Sequence, residues 1–125
     1  MSKVVKPLQC VAVAIGLLLA GASYAQGGDA VLGKAKFDHS CAPCHGKGPG
    51  DDGRDMLPGT YALQIKYDGE LPAALEDRSD LTAAVISVYV RQGTWSMPPF
   101  RKTELTDTEI TDIAAYLAVS SAGSR

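Results

Sequence analysis

The chain has 125 residues, with 12 Lys and Arg against 14 Asp and Glu, so its formal net charge is −2 at neutral pH. That length suits one small domain. The acidic balance argues against binding to nucleic acid, which needs a basic surface opposite the phosphates, and gives no reason to expect attraction to an anionic membrane.

The first 25 residues have the pattern of a secretion signal, with Lys3 and Lys6 ahead of an apolar run and small residues at its end. This pattern predicts cleavage between Ala25 and Gln26 and export to the periplasm. The apolar run is shorter than the roughly 20 residues of a membrane span, so no stable membrane insertion is expected after cleavage. The mature domain would be residues 26–125, with a net charge of about −4 because ten basic residues would remain against 14 acidic ones.

Three segments predict helices, and no segment alternates in the manner of a strand. Asp29 can cap a first helix that runs to the region of Cys41. Thr82 can cap a second helix, which Gly93 would close, with an apolar stripe at Val85, Val88 and Tyr89. The last helix begins with a capping box and continues as an apolar stripe: Thr106, Glu109, Ile110, Ile113, Ala114 and Leu117. The sequence therefore predicts an all-α domain.

A loop rich in glycine and aspartate, residues 46–55, follows the first predicted helix, and Pro58-Gly59 is a further turn signal. Its aspartates, Asp51, Asp52 and Asp55, lack the alternating spacing of a calcium loop, so a solvated loop is expected. Residues 60–66 are compatible with a short helix or with irregular structure. Long irregular segments in so small a domain leave limited apolar surface to bury. A large apolar cofactor is therefore expected at the centre of the fold.

The motif Cys41-Ala42-Pro43-Cys44-His45 carries the strongest chemical signal. The pattern C-x-x-C-H is typical of covalent haem attachment. Two thiols three positions apart on a helical turn can reach the two vinyl groups of one porphyrin edge, and the adjacent histidine can then ligate the iron. Cys10 would leave with the signal segment. We therefore predict one haem c, bound covalently through Cys41 and Cys44 and ligated by His45.

Two other interpretations of this motif are less favourable. A redox-active dithiol of the thioredoxin type needs alternating strands and helices, which the sequence does not predict. A closed zinc site needs a fourth ligand, and His39 is the only other histidine. Because His39 shares a predicted helix with Cys41, we expect it at the protein surface.

Features spread from Gly33 to Leu117 resemble the class I cytochromes c. Gly33 and Phe37 match the glycine and the aromatic residue of that family's first helix, and Tyr116 and Leu117 match the aromatic and apolar pair of its last helix. The segment Trp95-Ser96-Met97-Pro98-Pro99-Phe100 resembles the loop that carries its sixth iron ligand. The resemblance implies three to five short helices wrapped around one haem, with the first and last helices crossing closely at Gly33.

The resemblance also implies that Met97 is the sixth iron ligand and that the Pro58 carbonyl accepts a hydrogen bond from Nδ1 of His45. Met56 is the other methionine of the mature chain, but it lies only 11 residues after His45 in the glycine-rich loop. Met97 instead follows a predicted helix that can carry the chain to the opposite face of the haem. Candidates for hydrogen bonds to the haem propionates are Trp95 and Arg91.

These residues predict an electron carrier rather than an enzyme. A His/Met pair leaves the iron no open position and favours its ferrous state. The alternative is a five-coordinate haem enzyme, in which Met97 would not ligate. Residues 58–104 more narrowly resemble small cytochromes that serve periplasmic flavoprotein dehydrogenases, such as the cytochrome subunit of 4-cresol dehydrogenase. That likeness implies a flavoprotein as electron donor, and a soluble shuttle to a terminal oxidase is the alternative.

Overall fold

The computed structural model describes residues 27–124, so the predicted signal segment lies outside the described residues. Five α-helices follow one another in this part of the chain: α1 Ala30–Ser40, α2 Ala42–His45, α3 Pro58–Tyr67, α4 Ala83–Gln92 and α5 Asp107–Gly123. A 3₁₀ turn, Leu75–Asp77, precedes α4. No strand forms between residues 27 and 124, and the all-α prediction is confirmed. None of these helices is long and apolar enough to cross a lipid bilayer.

The predicted helix starts are confirmed by their caps. The Asp29 side chain accepts hydrogen bonds from the backbone N–H groups of Val31 and Leu32, which would otherwise lack partners at the start of α1. Thr82 caps α4 in the same way, and the reciprocal capping box of Thr106 and Glu109 starts α5. Each cap involves residues within three positions of one another, so the local sequence specifies these boundaries.

The expected turn at Pro58-Gly59 is wrong, because Pro58 is the first residue of α3. Proline is well suited to that position, since its missing N–H would have no intrahelical partner and its φ angle is already helical. The Thr60 hydroxyl, buried inside α3, donates a 2.9 Å hydrogen bond to the Gly46 carbonyl. This bond ties α3 to the end of the attachment motif.

A compact core joins α1, α4 and α5. Its most buried apolar residues are Phe37, Val90, Leu105, Ile110, Ile113, Ala114 and Leu117. The inward face of α4 differs from the predicted stripe: Val90 is buried and Ile86 packs beside it, whereas Val88 and Tyr89 are exposed. The apolar pattern of α4 covers more than one face, so periodicity alone could not select the side that contacts α5.

The expected close crossing of the first and last helices is confirmed. A Cβ atom on Gly33 would lie 1.9 Å from the Asp112 carbonyl oxygen, so only glycine allows the backbones to approach this closely. One helical turn further along α1, the Phe37 ring packs against Tyr116 at 5.4 Å between centroids. The Asp112 side chain also accepts a 2.7 Å hydrogen bond from the Asp29 N–H. These contacts fix the direction in which α1 delivers the attachment motif.

Candidate functional site

The attachment motif occupies a single helical turn directly after α1. Cys41 ends α1, and its carbonyl accepts hydrogen bonds from the N–H groups of Cys44 and His45, at 3.1 and 2.8 Å. Cys41 is half-buried and packs against the core, whereas Cys44 is exposed, and neither forms a disulfide. The turn therefore presents two free thiols and an imidazole from neighbouring positions, as thioether attachment requires.

Burial changes the protonation chemistry of this turn. It raises the pKa of the Cys41 thiol to about 11, with Lys36 only partly opposing the effect. Redox-active dithiols instead depend on a lowered thiol pKa, so the dithiol interpretation is disfavoured. Burial also lowers the pKa of His45 below its usual value. A neutral imidazole at physiological pH is the form that can donate a lone pair to a metal.

Gly59 covers one edge of the His45 ring. A Cβ atom on Gly59 would lie 2.7 Å from Cε1 and 2.8 Å from Nδ1 of this ring. Nδ1 is buried and has no hydrogen-bond partner among residues 27–124, so the hydrogen bond that it was expected to donate to the Pro58 carbonyl is not formed. A carbonyl in the first turn of a helix points along the axis toward the N–H four residues later. With the Nδ1 edge covered, Nε2 is the nitrogen left for a ligand.

The segment that contains Met97 folds back tightly on the end of α4. Thr94 and Met97 exchange two backbone hydrogen bonds, at 3.0 and 2.9 Å. Gly93, with φ at +67°, permits the approach, since a Cβ atom there would lie 2.8 Å from the Met97 carbonyl oxygen. The Met97 side chain is partly buried against the same core cluster that Cys41 and Ala42 contact. The fold thus brings the predicted sixth ligand and the attachment motif to one core.

Arg91, a candidate for the haem propionates, forms hydrogen bonds with two other parts of the protein. Its Nη1 donates to the Phe100 carbonyl at 3.1 Å, and its Nη2 pairs with the Asp107 carboxylate at 2.6 Å. Both terminal nitrogens are therefore engaged by the protein, whereas Nε is buried and has no hydrogen-bond partner among residues 27–124. The propionate contact of Arg91 stays a prediction. Trp95, the other propionate candidate, is fully exposed at the tip of the Thr94–Met97 turn, with φ at +51°.

The remaining candidates lie apart from this site. Met56 is half-buried and lines a shallow groove with Thr60, Gln64 and Asp77, a groove to which the attachment motif does not contribute. His39 is exposed on α1. The three aspartates of the 46–55 loop are exposed too, and across the described range no group of three acidic, histidine or cysteine side chains is arranged to hold a metal ion.

Sequence reasoning missed Gly59 and Thr60. Both act through contacts with the attachment motif, one against the His45 ring and the other on the Gly46 carbonyl. The available signal was the Pro-Gly pair, which is equally compatible with a turn and with the first two positions of a helix.

Known proteins are similar to this chain over most of its length. A family model described as cytochrome C oxidase, cbb3-type, subunit III, matches residues 28–117. Cytochrome c6 from Chlorolobion braunii is 32% identical over 99 residues, which span 78% of this chain and 97% of that protein. A crystal structure of cytochrome c6 from the diatom Phaeodactylum tricornutum covers 78% of this chain and 100% of its own, with 28% identity and a TM-score of 0.48.

The helical fold, the attachment motif and these matches define a class I c-type cytochrome, a small haem protein of electron transport. Within that class, the chain belongs to the family of cytochrome c oxidase, cbb3-type, subunit III.

The family implies a haem, and the residues of this structure fit one. Burial lowers the pKa of His45, which favours the neutral ring, and Gly59 covers its Nδ1 edge, so Nε2 is the nitrogen that would act as a ligand. Bulky apolar side chains on α3 and α4 are exposed to solvent, among them Ile65 and Val88. Such surface is favourably removed from water by a large apolar group.

Proposed function

We propose that this protein is a monohaem electron carrier with covalent attachment at Cys41 and Cys44 and with His45 and Met97 as axial ligands. The observation that carries the proposal is the packing of Cys41 and Met97 against one core cluster, although 56 positions separate them in the chain. Haem supplies a one-electron iron couple when it is bound. The protein's part is to hold two fixed ligands and to exclude water and substrates from the iron.

The proposed His/Met ligation is the feature that would distinguish this electron carrier from a haem enzyme. A histidine and a thioether would fill both axial positions, and the soft sulfur favours the ferrous state and raises the potential. The tight turn at Thr94–Met97 supports a ligand that stays in place while the iron changes charge. A five-coordinate haem enzyme would require this segment to leave the iron open.

We further propose that the protein works in the periplasm after removal of residues 1–25. Its donor would be a flavoprotein dehydrogenase, as the likeness of residues 58–104 to dehydrogenase-associated cytochromes implies. The alternative is delivery of electrons to a terminal oxidase, and the oxidase subunit named by the family supports that route. Exposed Pro43, Pro98 and Pro99 offer a small apolar contact surface for such a transient partner.

Covalent attachment is tested on a denaturing gel stained for haem. Haem should migrate with the polypeptide, because thioethers survive denaturation. Cys41→Ala and Cys44→Ala should each lose most of the haem-loaded protein. If haem extracts completely into acidified organic solvent from the native protein, attachment is not covalent and the proposal fails.

The sixth ligand is tested with Met97→Ala, and Met56→Ala is the matched control. Met97→Ala should abolish the weak near-infrared band that sulfur ligation gives ferric haem, open the iron to carbon monoxide and lower the potential. Met56→Ala should leave all three unchanged, because Met56 lies in a separate groove. The reverse result would assign the ligand to Met56.

A further inference from the structure

The segment after Met97 has few ways to be held in place. Pro98 and Pro99 have no N–H group and cannot donate backbone hydrogen bonds. Phe100 is therefore the first residue beyond Met97 whose N–H can anchor the chain. That N–H donates to the Val90 carbonyl at 2.6 Å, which fixes the segment to α4.

The carbonyl of Phe100 is held by a side chain. Arg91 Nη1 donates to it at 3.1 Å, while Arg91 Nη2 pairs with Asp107 at 2.6 Å. Only 19% of the Arg91 side chain is exposed, so this ion pair is partly shielded from water on the arginine side. Asp107, the first residue of α5, also pairs with Lys102 at 2.7 Å. Arg91 thus links α4, the Met97 segment and α5.

We propose that Arg91 is a positioning residue for the sixth ligand: by binding the Phe100 carbonyl and Asp107, it keeps Met97 on the iron against exchange for an external ligand. This inference rests on the proposed ligation by Met97. A thioether binds iron through one neutral sulfur, so its occupancy depends on how firmly the chain presents it. Upstream, the segment joins α4 through Gly93, whose N–H bonds to the Tyr89 carbonyl. Downstream, Phe100 is the anchor.

The test uses ferric haem-loaded protein titrated with imidazole, which competes with the methionine for the iron. Arg91→Gln should bind imidazole on the order of 10-fold more tightly, the effect of losing one hydrogen bond to a charged group. The near-infrared band should weaken in the same variant. Asp107→Asn is a milder second variant, because it keeps an oxygen acceptor for Arg91, and should move both readouts in the same direction by less.

Arg101→Gln is the matched control. Arg101 carries the same charge close by in the chain, but its side chain is 80% exposed and, among residues 27–124, forms an ion pair only with Glu104. Its imidazole affinity should stay within about twofold of the wild type, as expected for an exposed ion pair.

The outcomes separate the two proposals. If Arg91→Gln lowers thermal stability but binds imidazole as the wild type does, Arg91 is only structural and this inference fails while Met97 ligation stands. An equal increase in Arg101→Gln would also overturn it, because net charge would then explain the effect. If Met97→Ala retains the near-infrared band, the ligation proposal fails, and the role of Arg91 fails with it.

Discussion

Gly33→Ala tests the helix crossing on which the attachment motif depends. The added Cβ would lie 1.9 Å from the Asp112 carbonyl oxygen, 2.4 Å from the Asp112 carbonyl carbon and 2.9 Å from the Ile113 nitrogen. All three atoms belong to the backbone of α5, so no side-chain rotation can relieve the contact. The two helices would have to separate, and Phe37, Ile113 and Leu117, each 1% exposed, would lose packing.

The magnitude follows from two opposing effects. Overpacking of a well-packed interior costs about 1–3 kcal/mol or more, and contact with rigid backbone belongs at the upper end. Replacement of glycine by alanine inside a helix raises the free energy of unfolding by about 1 kcal/mol, because alanine has the higher helix propensity. The net loss is therefore about 2 kcal/mol. For a domain of this size, 1 kcal/mol shifts the melting temperature by roughly 4–8 °C, so we expect a decrease of about 10 °C.

Thermal unfolding of the haem-loaded protein, followed by far-ultraviolet circular dichroism, gives the measurement. Gly123→Ala is the control, since Gly123 is also helical but a Cβ atom there would meet nothing within 4 Å. That variant should melt at or slightly above the wild-type temperature. If Gly33→Ala melts within about 2 °C of the wild type, α1 and α5 do not cross closely in solution and the reasoning is refuted.

Two further substitutions test single contacts. A hydrogen bond from the Thr106 backbone, followed by a hydrogen bond from Lys36, lowers the pKa of Glu109 from 4.5 to about 2. This stabilisation is fully present above about pH 4.5 and is lost as pH falls through about 2. Glu109→Gln should therefore lower the free energy of unfolding in urea by on the order of 0.5–1 kcal/mol at pH 7, and by progressively less toward pH 2. An equal loss at pH 7 and at pH 2 would show that the Glu109 carboxylate is not the stabilising group. Gly59→Ala should displace the His45 ring, since the new Cβ would lie 2.7 Å from Cε1; reduced haem loading and an altered visible spectrum are expected, and wild-type loading would show that the contact is not formed.

The helix caps were predictable because each depends on side chains that reach backbone groups a few positions away. Asp29, Thr82 and Thr106 cap the helices that the sequence assigned to them. The close approach at Gly33 is a contact between distant segments, and it was expected only because the glycine and the aromatic residue at Phe37 resemble a family pattern. The capping residues therefore predicted where the helices begin, whereas the crossing of α1 and α5 was predicted only from the family resemblance.

The failures concern features that the local sequence leaves undetermined. Pro58-Gly59 satisfies both a turn and a helix start, and the choice depends on Thr60 reaching the Gly46 carbonyl from α3. The apolar residues of α4 suit more than one face, and contact with α5 selects Ile86 and Val90. The partners of Arg91 within the protein were also not predicted from the sequence, which offered this residue only as a candidate for the haem propionates. These partners, Phe100 and Asp107, are 9 and 16 residues away.

The two proposed iron ligands are held by different physical means. His45 ends α2, the short helix that follows α1, and α1 is held by backbone contact at Gly33 and by the packing of Phe37. Met97 lies on a segment held mainly by hydrogen bonds, through the Thr94 turn and the two backbone groups of Phe100. Because packing is cooperative across the core while these bonds are local, the two sides should respond separately. Gly33→Ala should weaken the whole domain, whereas Arg91→Gln should loosen Met97 and leave the histidine side intact.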